Sequence, residues 1–329
     1  MTVFFEDWSV SYGSPYLVEP DEASLEQEAV RLIEDRGELR FHDGADFGEP
    51  LPPLAFVDGV RRGEASLYRH DPATGEIVHG VAGAHARGAV VRDGDGKLRF
   101  HDARVTRLAI WGAGLRPVLP PTEHGFSWES DSIADTSPKD LLARLQDRMR
   151  SAEAALAEAL GKAGYLTVID GPLPYGRVID APIVGYIKTH HRAMLEPHHH
   201  RRVPELSPGQ RTGLFIGKKS CYSCYLRLAP RGPFSGPWAG IVRLEIPEGV
   251  GIQAASREAD RAACFLPRFA GIPHKDPRAP QNLQPIGALE NHLRHLLGDR
   301  RLAGRAVREA VAQKRGREAG SPAQEALFR

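Results

Sequence analysis

The stretch that most constrains this chain's fold is residues 138–161. Leu141, Leu145, Met149, Ala152, Leu156 and Leu160 recur at helical spacing, Ser137 stands where an N-cap belongs, and Pro138 suits the first turn. A helix with one apolar stripe lays that stripe on a sheet or on other helices. The flanking sequence supplies the sheet. Before the helix, Leu54–Val57, Gly63–Tyr68, Ile77–Val81, Ala89–Arg92, Leu98–Phe100 and Val105–Trp111 are short runs separated by Asp- and Gly-rich turns, the pattern of a meander of hairpins. Pro117–Pro121 breaks it. After the helix, Tyr165–Asp170 reads as a buried strand, followed by strands at 183–187, 213–216, 222–228 and 240–246 and helices at 255–266, 285–298 and 302–314. Strands, then a helix, then a strand predict a mixed α/β sheet flanked by helices rather than a regular βαβ repeat.

The ends differ from this body. Residues 21–35 read as an acidic amphipathic helix capped by Asp21, and a Gly/Pro-rich connector from Gly44 to Pro53 follows. The expected division is an acidic helical leader over 1–50, suited to a dimer or partner contact, one domain over 51–300, and a basic C-terminal helix and tail over 301–329. Charge follows the same division. Of the 42 acids and 43 Lys and Arg that give a net +1, residues 1–50 hold thirteen acids and three arginines, a balance of −10. The rest carries +11, which suits a polyanionic partner. Three cysteines make no disulfide framework, and no run reaches the roughly 18 apolar residues of a membrane span. A reduced, cytoplasmic setting is expected.

Two segments share one design, an apolar strand that delivers an Asp followed by Gly: Phe56-Val57-Asp58-Gly59 and Val168-Ile169-Asp170-Gly171. Such a carboxylate leaves the sheet for a crevice while the glycine lets the chain turn away, although an Asp-Gly after a strand is also an ordinary turn. The helix adds Glu153 on the shoulder of its stripe, where a carboxylate can face the sheet or snorkel outward beside Arg150. Three converging acids need a counter-charge, and hard divalent cations supply one at phosphoryl-transfer sites. Without metal, the same trio suits a glycosidase pair with a structural acid. Lys188, Arg192, Arg201, Arg202, Arg211, Lys218 and Lys219 follow the second strand with five histidines and only Glu196 and Glu205. That basic segment suits phosphates held beside carboxylates, or else a solvated loop. His198-His199-His200 lies beside Arg201 and Arg202, which oppose a cation, and Cys221-Tyr-Ser-Cys224 sits in a strand pattern, where residues three apart face opposite ways. Neither reads as a metal site. No Walker A, dinucleotide fingerprint or nucleophile elbow is present.

From about residue 54 to 298, the order of these motifs resembles the NurA nuclease family: Phe-Val-Asp58-Gly, a helix with Glu153, Ile-Asp170-Gly-Pro-Leu and Val-Gly-Tyr-Ile-Lys188. The resemblance implies an RNase H-like core and a homodimeric ring around a DNA channel. It implies Mn²⁺- or Mg²⁺-dependent cleavage of DNA, with 5′-to-3′ exonuclease and single-strand endonuclease activity. It also implies end resection in double-strand break repair with a HerA-type hexameric ATPase. Carried over by position, Asp58, Glu153 and Asp170 bind the metal and Lys188 lies near the scissile phosphate. The chain departs from the family late: Asn282 stands where an aromatic belongs and Glu290 where a histidine does. Glu290 then serves as a fourth ligand, or His274 or His292 takes its place. The rival expectation is a DNA-clamping adaptor of such an ATPase with a degenerate site.

Overall fold

In the computed structural model, the central helix, α1, runs from Pro138 to Lys162. Its cap is as expected, with the Lys139 N–H donating to Ser137 Oγ at 3.2 Å. Residues 30–48, 50, 52–70, 74–174, 179–190, 193–217 and 221–319 are described. Among the described residues, six strands precede α1: β1 (Arg31–Leu32), β2 (Phe41–Asp43), β3 (Leu54–His70), β4 (Ile77–Arg92), β5 (Leu98–Trp111) and β6 (Glu129–Ser132). After it come β7 (Leu166–Asp170), β8 (Ile183–Ile187), the one-turn helix α2 (Pro197–His200), β9 (Gln210–Thr212), β10 (Phe215–Ile216), β11 (Cys221–Arg227) and β12 (Ile241–Pro247). Helices α3 (Ile252–Phe265), α4 (Gln284–Leu296) and α5 (Arg300–Ala319) complete the described chain. The protein has a large mixed sheet flanked by helices.

Contacts divide the chain into two units. The first takes the described residues up to Asp58, with Ala89–His101 and Glu153–Leu289. Its strands follow the order β1-β10-β11-β12-β8-β7-β3. β3, β7 and β8 are parallel, with Val57 opposite Ile169 and Asp170 opposite Tyr186, while β12, β11, β10 and β1 continue antiparallel. One core packs Leu156, Ala157 and Leu160 of α1 against Ala55, Val57, Ile169 and Ile183. These strands are buried on both faces, which is why they read as unbroken apolar runs.

The second unit comprises Gly59–Gly88, Asp102–Ala152 and the residues from Glu290 onward. Within it, Leu141 and Leu145 of α1 pack on Val81, Leu108 and Ile110. Ala306, Val307 and Ala310 of α5 pack with Leu67, Trp111 and Trp128. Three strands are longer than the sequence pattern predicts: each pair of runs at 54–68, 77–92 and 98–111 fuses into one strand. Glycines within β4 are packing positions. A Cβ at Gly80 would stand 2.6 Å from the Trp111 ring, and one at Gly83 2.8 Å from a Leu145 methyl. The Asp58-Gly59 pair is accordingly no turn, since β3 passes straight through it.

The leader also differs from expectation. Residues 21–29 of the helix read there lie outside the described residues, as do residues 320–329 of the tail. From Val30 on the chain forms β1, a turn and β2, and these belong to the first unit through pairing with β10 and β9. No helix among the described residues is long and apolar enough to cross a membrane.

Candidate metal centre

Asp58 follows Val57 on β3, and Asp170 follows Ile169 on β7, the residue paired with Val57. The register of two parallel strands therefore sets the acids side by side, about 5 Å apart at the backbone. Each offers a carboxylate oxygen within 4.8 Å of the other's. Asp58 is 6% exposed, and the Asp170 side chain is 14% exposed. Side-chain alternation puts both on the face that carries Phe56 and Val168, opposite the core built on Val57 and Ile169. Gly171, at φ 96°, gives the turn expected after Asp170, and Gly185 lets Leu173 pass with a Cβ position only 3.0 Å from its side chain.

Glu153 is buried at 4% exposure, consistent with a shoulder position facing inward. It is nevertheless not among the acids whose oxygens meet within 4.8 Å. In the first unit, Asp58 and Asp170 form the pair whose carboxylate oxygens approach within 4.8 Å, and Glu153 on α1 is a third buried acid of the same unit. Glu290 belongs to the second unit by one residue. α4 runs unbroken past Leu289, and the Glu290 side chain is 12% exposed, with Arg294 at 3.5 Å one turn on.

Lys188 lies one residue beyond β8. Its Nζ donates to Asp170 Oδ2 at 2.7 Å and to Asn282 Oδ1 at 3.0 Å. Asn282, fully buried, in turn donates through Nδ2 to Asp276 Oδ2. The residue standing where the family has an aromatic is therefore a polar link between the lysine and a further acid. Tyr186 is fully buried and donates to the Gln281 carbonyl. Burial first, and then the Asp170 charge, push its hydroxyl well above the usual phenol range. Neither Tyr186 nor Asp276 was singled out by sequence. One sits inside an apolar strand and the other in a Pro-rich loop, and neither has a local signature.

The basic segment resolves into different roles. Arg211 is fully buried and bound to Glu34 by two hydrogen bonds of 2.7 and 2.8 Å and to Asp260 at 2.7 Å. It holds the first unit together and is not available to a phosphate, a correction to its expected place on DNA. Burial alone would raise the Glu34 carboxyl, but hydrogen bonds and charge from Arg211, with Ser256 and the Leu214 N–H, bring it down to about 2. Arg201 and Arg202 are exposed, with Arg202 over the Phe41 ring and near Glu205. Arg192, Lys218 and Lys219 lie outside the described residues. The His198 and His199 rings lie 3.8 Å apart, tilted by 44°, with His198 beside Glu196. All three cysteines are free, and burial pushes the Cys224 thiol up to about 12, so it is no thiolate ligand.

No protein-family model matches the chain, and a search of curated proteins returns no match. Among solved structures, it is similar to the crystal structure of the NurA nuclease from Sulfolobus solfataricus, at 11% identity and a TM-score of 0.33. That similarity covers 74% of this chain and 83% of the other.

Proposed function

We propose that this protein is a divalent-metal-dependent DNA nuclease with Asp58 and Asp170 as metal ligands. The observation that carries the reading is the meeting of these two carboxylates on neighbouring parallel strands, with the Lys188 ammonium held against one of them. Two adjacent buried carboxylates repel, and one lysine offsets only part of their charge. Oxygen-only donors at this spacing suit Mn²⁺ or Mg²⁺, which when bound would polarise a phosphodiester and lower the pKa of an attacking water. Lys188, fixed between Asp170 and Asn282, is placed to offset charge on the phosphate oxygens. Glu290 is proposed as a further ligand, and Arg201, Arg202, Arg192, Lys218 and Lys219 as contacts to the DNA backbone. The order of the sequence motifs supports the finer reading: an RNase H-like, homodimeric nuclease that trims DNA ends 5′ to 3′, cuts single strands and works with a HerA-type ATPase.

The test is cleavage of end-labelled single- and double-stranded DNA in Mn²⁺, Mg²⁺ or EDTA. The parent is expected to cut with metal and not in EDTA, and Asp58→Ala to lose at least about 100-fold in rate, the scale of a lost charge-stabilising group. One observation favours a second reading. Lys188 already pairs with Asp170, as it would in a metal-free site. A DNA-clamping subunit of such an ATPase would then bind DNA and cut nothing, with Asp58→Ala indistinguishable from the parent.

A further inference from the structure

The second unit contains a cleft of about 500 Å³ whose lining includes Gly59, Arg61, Arg62, Gln146, Glu290 and Arg294. Its three arginines face one carboxylate, but they are not equivalent. Arg62 is spent on structure: it donates to the Gly298 and Leu297 carbonyls at 2.7 and 3.0 Å and to Glu64 at 2.9 Å. Arg61 is exposed, and its only hydrogen bond among the described residues runs from Nε to Gln146 Oε1, which steadies the side chain. That leaves both terminal nitrogens of the guanidinium, the pair that grips a phosphate bidentately, without a partner among the described residues. Arg294 is 58% exposed and has only Glu290 at 3.5 Å, a pair of little strength at that exposure. One steadied and one exposed cation thus border a cleft much larger than a single phosphate needs, and none of these residues lies in the basic segment 188–219.

We infer that this cleft is a phosphate-binding subsite for a DNA strand, with Arg61 and Arg294 as the contacting cations. The inference rests on the nuclease reading for its choice of polyanion. The arginines act on the backbone without reading sequence.

Binding separates the subsite from the chemistry. Fluorescence anisotropy of a labelled single-stranded oligonucleotide is measured in EDTA with the full chain, its Arg61→Gln and Arg294→Gln variants and the double variant. Each single change is expected to weaken binding about tenfold, one lost charge-assisted contact, and to lower the salt slope by about 1. Arg294→Lys retains most of the affinity, Arg61→Lys keeps the charge but loses the two-pronged grip and falls between parent and Arg61→Gln, and Arg104→Gln, at a 70% exposed arginine outside the cleft, leaves affinity within about twofold. Unchanged affinity and slope in the double variant overturn the subsite, even if the parent proves to be a nuclease. So does displacement of the oligonucleotide by a mononucleotide at equal phosphate concentration, which would assign the cleft to free nucleotides. If the arginine variants lose binding while the parent cuts nothing in any metal, the subsite stands and the nuclease reading falls.

Discussion

At Asp170, a carboxylate delivered by β7 meets one from β3, and a lysine and a buried phenol from β8 and its end. The Lys188 ammonium is what makes that arrangement tolerable without metal. Lys188→Ala is expected to lower unfolding free energy by roughly 2–4 kcal/mol, because it takes the ammonium partner from the largely buried Asp170 carboxylate. Urea denaturation tests this, and Asp170→Asn in the same chain should restore part of the loss, a coupling that independent sites would not show. A second ion pair titrates in an accessible range. Glu34 has a folded pKa of about 2 against an ordinary 4.5. Its stabilisation is therefore complete above about pH 5 and is lost as pH falls toward 2. Between about pH 6 and pH 3 the parent should lose roughly 2 kcal/mol more than Glu34→Gln, measured as the difference in urea midpoints multiplied by the slope. Equal losses would contradict that assignment. Asp58 and Asp170 were legible in the sequence because a carboxylate ending an apolar run has to be satisfied by something. Arg211 was not. It looked like one cation among several in a basic segment, and its partner Glu34 lies 177 residues away, in a stretch read as a separate leader.

Among the elements, those with a strong period were read to within a few residues: α1, β7, β8, β11 and β12 start and end close to where spacing and caps place them. The long strands were not, because glycine carries two meanings. In turns it supplies a left-handed conformation, as at Gly171, and in β4 it makes room for Trp111 and Leu145. Spacing alone does not separate these uses; the ring on the neighbouring strand does. Gly80→Ala should therefore cost about 1–3 kcal/mol through overpacking, whereas Gly94→Ala, with nothing within 4 Å of the added carbon, should lie within about 0.5 kcal/mol of the parent. Thermal unfolding of the two variants decides between packing and turn propensity. Helical spacing also placed Glu153 on the inner shoulder of α1, and its side chain is buried there.

Over the whole chain, the near-zero net charge conceals a strong asymmetry, −10 before residue 51 and +11 after it. Part of the acidic side is consumed internally, with Glu34 neutralising Arg211 and Asp35 paired with His42 at 3.0 Å. Removing residues 30–50 would take β1, β2 and Glu34 out of the first unit and uncover Arg211, so that truncation is expected to unfold it rather than merely loosen a partner contact. On the basic side, Arg61 and Arg294 line the cleft of the second unit, and Arg201 and Arg202 are exposed in the first. All of this turns on whether Asp58 and Asp170 bind a divalent ion. Calorimetric titration of Mn²⁺ into the parent, Asp58→Asn and Asp170→Asn measures it directly. Saturable binding to the parent and at least about tenfold weaker binding to each variant are expected. Absence of binding to the parent, or equal binding to all three proteins, would contradict the metal assignment.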